Sequence, residues 1–415
     1  MKPAKRAKST NPRRVLLADA DAFFVAVARM VDPDGAGREP LLIVGGTRES
    51  RGVVCSASYE VRKYGVRSAM PIARALRLCP RAMCVPVPGR ACGQKSREIR
   101  AVLERFAPMV QGASIDEWYL DLGGTEALYA NEPLAVTAAR IRDRVTAETS
   151  LSVSIGGGTS KLVAKLAVER AKPKPGTGAT GVYVVDAGDE ARFLETLDLA
   201  DIPFIGPRFQ ERLGKLGMRR VPDVLQYDVA TLAQWIGRRE AEWLYDRVRG
   251  IDHSDVEAHG DAKSISRDET FGADIDDDSE LERELLALIT RAARDLRGDA
   301  LTARTITVKI RDYDFKTRQA SRTLDAAVIS DRILLEVARS LLARLRQSRR
   351  VPARLLGVAL SSLAVDSAAD QLTLFEHADA RLAETERDRT LARTVDRVRA
   401  RFGDKGILPA RLVDY

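Results

Sequence analysis

No segment of the chain approaches the ~18 uninterrupted apolar residues that a membrane-spanning helix requires, so no membrane association is expected. The basic opening residues lead into no apolar stretch, which speaks against a secretory leader and for a cytoplasmic place. Cysteine is scarce. Cys55, Cys79, Cys84 and Cys92 match no zinc-binding spacing, and the three histidines lie far downstream of them. Free, reduced thiols are what remains, as is usual in a cytosolic protein. There are no internal repeats, and the run Gly156–Lys161 (GGGTSK) lacks the spacing of a phosphate-cradling P-loop.

What is present is the composition of a folded chain, 45% apolar and 30% charged over 415 residues, too long for one hydrophobic core. The formal net charge of +8 suits a polyanionic partner without selecting one. Residues 2–14 carry six basic side chains and no acidic one, the pattern of a solvated, disordered arm.

The apolar run Val15–Ala18 reads as a buried strand that ends at Asp19, with a helix starting near Ala22. Two short strands around a glycine turn are expected within 40–58, and a helix over 70–78. Ile99, Leu103 and Phe106 mark an amphipathic helix over 96–109. It leads to strands at 110–115 and 118–122 with Asp116 and Glu117 at the turn between them. A helix at 135–148, a strand at 152–156 and a helix at 160–170 follow, then a Gly/Pro-rich boundary at 173–181. Short helices fill 196–250 and a polar linker 251–262. A second α+β unit has strands at 263–271, 304–312 and 355–363, helices at 279–297 and 330–347, and a last helix at 386–402.

Two acidic pairs sit where chemistry would need them. Asp19 and Asp21 close a buried strand, and Asp116-Glu117 occupy a tight turn. Carboxylate oxygens at strand ends suit hard divalent cations, and two such ions close together can activate a hydroxyl and neutralise a leaving phosphate. Acidic residues are also ordinary turn residues, so neither pair decides the matter by itself.

The surrounding motifs are more specific. Asp19-Ala-Asp-Ala-Phe-Phe24 resembles the opening motif of the Y-family DNA polymerases, and Ser114-Ile-Asp-Glu-Trp-Tyr-Leu-Asp121 resembles their second catalytic motif. Between them, residues 51–70 (RGVVCSASYEVRKYGVRSAM) resemble the fingers motif, and the likeness continues through Lys161–Lys172 into the C-terminal unit. The nearest branch is the DNA polymerase IV (DinB-type) one. The resemblance implies an α+β multidomain, right-hand fold: a palm (15–21 and 88–178), fingers (22–87), a helical thumb (179–250), the linker 251–262, a little finger (263–365), and a tail (366–415) after the basic arm 1–14.

Carried over position by position, the resemblance makes Asp19, Asp116 and Glu117 metal ligands for two Mg2+ ions, with the Ala20 carbonyl completing one site. Asp21 is not a ligand in that family. Tyr59, Arg62 and Lys172 match residues that grip the incoming dNTP, and Ser56 adds a hydroxyl. Arg offers a forked donor set and Lys a compact charge. Phe24 matches the steric gate that excludes a ribose 2′-hydroxyl, while Phe23 reads as core. Four positions depart from the pattern: Ala28 stands for Glu, Trp118 for Ala, Ser160 for Asn, and Phe204 for the first glycine of a helix-hairpin-helix over Ile202–Leu213 that leaves Gly206 alone.

Primer–template DNA is expected on Gly206 and on Lys309, Arg311, Lys316, Arg318 and Arg322 of the little finger. A second basic cluster (Arg344, Arg346, Arg349, Arg350, Arg354) stands against an acidic segment, 274–284. Gln371-Leu-Thr-Leu-Phe375 resembles the sliding-clamp peptide of bacterial polymerases, with Gln371, Leu372, Leu374 and Phe375 as its anchors. The expected function is template-directed, low-fidelity translesion synthesis by a monomeric enzyme with no proofreading exonuclease motif. A catalytically silent DNA- and clamp-binding relative is the alternative, and a cyclase-type palm enzyme a third that leaves the thumb and little finger unexplained.

Overall fold

The computed structural model describes residues 12–173, 178–258, 260, 262–366 and 382–413. The chain divides at Gly260 into two compact units.

In the first unit β1 (Val15–Ala20) leads into α1 (Phe23–Val31). Three short strands follow, β2 (Leu42–Val44), β3 (Ser56–Ala57) and β4 (Met83–Val85), interleaved with α2 (Tyr59–Arg62) and α3 (Ile72–Leu78). Then come α4 (Gly89–Leu103), the hairpin β5 (Met109–Gly112) and β6 (Glu117–Asp121), α5 (Leu134–Thr149), β7 (Val153–Gly158), α6 (Lys161–Ala171) and β8 (Val182–Val184). The large sheet has the order β5-β6-β1-β7-β8, so β1 is its centre and pairs antiparallel with both neighbours. Every residue of β1 is buried because both faces are covered. Leu16, Ala18 and Ala20 pack on one side with residues of α4 and α5, while Val15 and Leu17 meet Ala164 and Val168 of α6 on the other. That double burial is why the run is continuous rather than alternating.

The glycine run has a packing role. A Cβ on Gly156 would lie 2.2 Å from the Val168 nitrogen and 2.3 Å from the Ala164 carbonyl, so glycine lets α6 rest directly on β7. The small sheet β3-β2-β4 carries its own core of Ile43, Val54, Val61 and Ala75. Five helices, α7 (Glu190–Leu194), α8 (Pro207–Lys215), α9 (Val221–Leu225), α10 (Val229–Ile236) and α11 (Arg238–Val248), share a core with Leu162, Val163 and Leu166 of α6. The first half of the segment read as a linker is packed. Val256 is buried against Val15 and Leu17, and the Asp252 carboxylate accepts the Leu162 N–H at 3.0 Å.

The second unit is a four-stranded antiparallel sheet, β11-β10-β12-β9, backed by two long helices. Its elements are β9 (Ser264–Ile275), α12 (Asp278–Gly298), β10 (Leu301–Asp312), β11 (Thr317–Val328), α13 (Asp331–Ser348), β12 (Ala353–Val365) and α14 (Glu386–Phe402). Ile306, Val308 and Ile310 of β10 face a core with Leu285, Ile289, Val337 and Leu341 of the helices. The opposite face is bare and polar: Thr305 bonds Thr323 and Ser362 across the strands, and Thr307 bonds Ser321.

Candidate active site

The register between β1 and β6 sets Asp19 directly opposite Glu117. Asp116 is fixed through its backbone, whose carbonyl accepts the Ala20 N–H at 2.9 Å. Its side chain accepts a 2.5 Å bond from the Ser114 hydroxyl. Sequence positions about a hundred apart thus become cross-strand neighbours at one end of the central strand. Asp21 is engaged differently: the Ser152 and Ser154 hydroxyls of the β7 side each donate to it at 2.7 Å.

Asp19 is 7% exposed, and burial pushes its carboxyl up to about 7. Lys172, with Nζ 3.0 Å from it, pulls the other way, and Glu117 adds to the rise. Burial also works against the Lys172 charge, but Asp19 and Glu169 outweigh it and raise that ammonium's pKa. Burial is the largest cause of the Asp19 shift and Lys172 does not cancel it, so a further cation beside this carboxylate would be favoured. Hard oxygen donors lacking compensating charge are what a divalent cation requires, so the donor set fits such an ion. Among the described residues no three acidic, histidine or cysteine side chains already converge as a cage. The Asp116 carboxylate is instead turned to Ser114.

The small sheet brings its residues toward this cluster. Tyr59 begins α2, and its phenol is raised by burial and then by the charges of Asp21 and Asp19, which places the ring near the carboxylates. The Arg62 guanidinium lies 5.0 Å from the Tyr59 ring centroid, and its Nε donates to the Ala57 carbonyl at 2.9 Å. Ser56 is buried on β3 opposite Val44. Phe23 is core, 2% exposed, and Phe24 meets it edge-on at 5.5 Å.

The departures from the expected motifs have local accounts. Trp118 pairs with Ala18 and is buried in the core on the opposite side of β6 from Glu117, so its bulk does not crowd the carboxylates. Ser160 caps α6 by accepting the Val163 N–H at 3.2 Å, a task asparagine would also perform. Phe204 holds a left-handed φ of 71° and is 87% exposed, and Gly206 caps α8. For Ala28, buried on α1, nothing in the structure explains the change.

One residue the sequence reading missed is Lys165 of α6, whose ammonium bonds Glu117. The signal was its spacing: it follows Lys161 by four residues, on the same face of α6.

In the second unit the predicted cations divide by strand alternation. Lys309 and Arg311 point to the bare sheet face, where Lys309 reaches Asp268 at 2.5 Å and Arg311 bonds Thr317 at 3.0 Å. Lys316 lies in the turn, 3.5 Å from Asp314. Arg318 points the opposite way and ties the buried Asp312 to Ser348 and the Arg349 carbonyl, a structural role. Arg322, two residues on, shares the Arg318 side of the strand. The second basic cluster is not segregated from the acidic segment: Arg346, 5% exposed, bonds Asp278 at 2.6 Å and Asp276 at 2.9 Å. Gln371, Leu372, Leu374 and Phe375 lie outside the described residues.

A central antiparallel strand ending in an acid opposite a carboxylate hairpin, with a small sheet, a helical module and a separate four-stranded unit, defines a right-hand nucleotidyl-transfer polymerase. The comparisons give its family. Residues 18–169 match the model of the impB/mucB/samB family and residues 262–374 that of its C-terminal domain. The DNA polymerase IV of Dehalococcoides mccartyi (strain CBDB1) is 35% identical over 399 residues, 96% of this chain and 97% of that protein. That of Halorhodospira halophila (strain DSM 244 / SL1) is 37% identical over 353 residues, 85% of this chain and 95% of its own. Among solved structures, a Y-family DNA polymerase chimera, Dbh-Dpo4(243-245)-Dbh, aligns with a TM-score of 0.72 at 26% identity, covering 85% of this chain and 99% of that one. An insertion ternary complex of Dbh DNA polymerase gives 0.59 over the same shares at 26% identity. The chain belongs to the impB/mucB/samB family of Y-family DNA polymerases. It is a DNA-directed DNA polymerase of the translesion kind, dependent on a divalent metal.

Proposed function

We propose that Asp19, Asp116, Glu117 and the Ala20 carbonyl hold two Mg2+ ions, and that the chain adds deoxynucleotides to a primer 3′ end on a DNA template. The observation that carries the reading is the Asp19–Glu117 pairing beside the Asp116 turn. Magnesium held by these residues would supply activation of the primer hydroxyl and neutralisation of the leaving diphosphate. The chain's own residues bind and select. Tyr59, Arg62 and Lys172 grip the triphosphate of the dNTP, with Ser56 near them, and Phe24 lies under the sugar and excludes a 2′-hydroxyl.

Primer–template DNA is held through Gly206 at the α8 turn and by Lys309, Arg311 and Lys316 on and beside the hydroxyl-lined face of the second unit's sheet. Arg318 leaves this set because its fork is consumed internally. Arg322, on the same side of its strand, is proposed as a phosphate contact at the sheet edge. Gln371–Phe375 would take a sliding clamp, with the polymerase acting as a cytoplasmic monomer. No helix among the described residues is long and apolar enough to cross a membrane. The silent-accessory reading is not favoured, since the chain keeps Asp19, Asp116 and Glu117.

Removal of metal tests the proposal. Extension of a primer by the chelator-treated chain should be absent and should return on adding Mg2+. Extension that persists in excess chelator contradicts the metal assignment.

A further inference from the structure

We propose that Lys165 is a positioning residue of this site, a resident counter-ion that holds Glu117 opposite Asp19 and yields it to an entering divalent cation. The inference rests on the reading of Glu117 as a metal ligand.

Lys161 and Lys165 of α6 and Lys172 at its C-cap line one side of the helix. Lys161 lies 4.8 Å from the Tyr119 ring centroid and donates to Gln111 at 2.8 Å. Lys165 bonds Glu117, and Lys172 lies 3.0 Å from Asp19. The helix and strand are commensurate: four helical residues rise ~6 Å, and two strand residues advance ~6.6 Å. The step from Lys161 to Lys165 therefore matches the step from Tyr119 to Glu117. Seven residues on, at the C-cap of α6, Lys172 reaches the second carboxylate. The absent side chain of Gly156 fixes this alignment by letting α6 lie against β7.

Two of the three carboxylates thus carry an ammonium each, Lys165 on Glu117 and Lys172 on Asp19. Lys172 has a second acceptor, Glu169 at 2.7 Å, to which its charge can transfer. Lys165 and Glu117 are both about a quarter exposed, 27% and 23%, so the pair is neither sealed in the core nor free in water. Such a pair orders a side chain without binding it strongly, and a doubly charged ion can displace the ammonium. A counter-ion competes with the metal for the same oxygen. A purely structural bond predicts the opposite, since its loss would disorder the ligand and weaken metal binding.

The experiment is Mn2+ binding to the metal-stripped full-length chain, followed by electron paramagnetic resonance. Lys165→Met keeps the aliphatic stem and removes the competing charge. It should bind Mn2+ about fivefold more tightly, the ~1 kcal/mol of a partly exposed pair at 1.4 kcal/mol per factor of ten. Without metal the same variant should melt below the parent, and added Mn2+ should raise its melting temperature by more than it raises the parent's. Lys165→Arg should restore parental Mn2+ affinity. In a Glu117→Gln background, Lys165→Met should change nothing. Unchanged or weaker Mn2+ binding in Lys165→Met overturns the counter-ion role. If the parent's Mn2+ binding is indifferent to Glu117→Gln, the metal assignment of Glu117 fails, and this inference with it. Should Lys165→Met not fold, Lys165→Gln gives the same comparison.

Discussion

Asp19 makes the site sensitive to pH. Its carboxyl titrates near 7 in the folded chain against 3.8 for a free one, because burial penalises the charge. Between those values the folded protein holds a proton that the unfolded chain has lost. Metal-free stability therefore declines as pH rises from about 4 to 7 and levels off above. A divalent cation competes with that proton, so its affinity should climb over the upper part of this window, by up to about tenfold per pH unit, and flatten above about 7. Mn2+ titrations of the metal-stripped chain across that range measure this, and a flat affinity would contradict the raised carboxyl. Phe24, as the proposed steric gate, would act on selectivity by exclusion. Phe24→Ala should raise the ribonucleotide-to-deoxynucleotide insertion ratio by roughly ten- to a hundredfold, the scale of one steric element in a pocket. Paired single-nucleotide kinetics read it directly, and an unchanged ratio would move the gate elsewhere.

Among the elements, the turn before α8 carries the clearest departure from backbone preference. Phe204 adopts φ 71° while 87% of its surface faces solvent, so the strained conformation is not offset by burial of the ring. Phe204→Gly should raise the stability of its unit by up to about 1 kcal/mol in a chemical denaturation series. A loss of that size would show that the ring is packed. This element was only partly legible in the sequence. The residues Ile202–Leu213 gave the turn, but which glycine survived said nothing of the strain accepted at the other.

The same contrast runs through the molecule. Strand β1 was readable because an apolar run stops abruptly at an acid, and the motif around Asp116 placed its partner. The alternation of β11 was masked by arginines on its inner face, so Arg318 looked like a surface cation when it ties Asp312 beneath the sheet. Arg346 misled in the same way: its neutralising partners, Asp276 and Asp278, lie about seventy positions away. Lys165 was marked only by its spacing from Lys161, and the local pattern does not tell which face of α6 meets β6. Long-range pairing, not local pattern, decides all three.

At the scale of the whole molecule, the proposed metal site and most of the proposed DNA contacts belong to different parts of the chain. The carboxylates and the small sheet lie before Gly260, and the hydroxyl-lined sheet with Lys309 and Arg311 lies after it. Removing a metal ligand should therefore stop the chemical step and spare the hold on DNA. The direct measurement is primer extension with Mg2+ by Asp116→Ala and Glu117→Ala, alongside their affinities for the same primer–template. The account predicts extension reduced by at least about a thousandfold, with affinity within about threefold of the parent. Near-parental extension by either variant would contradict it.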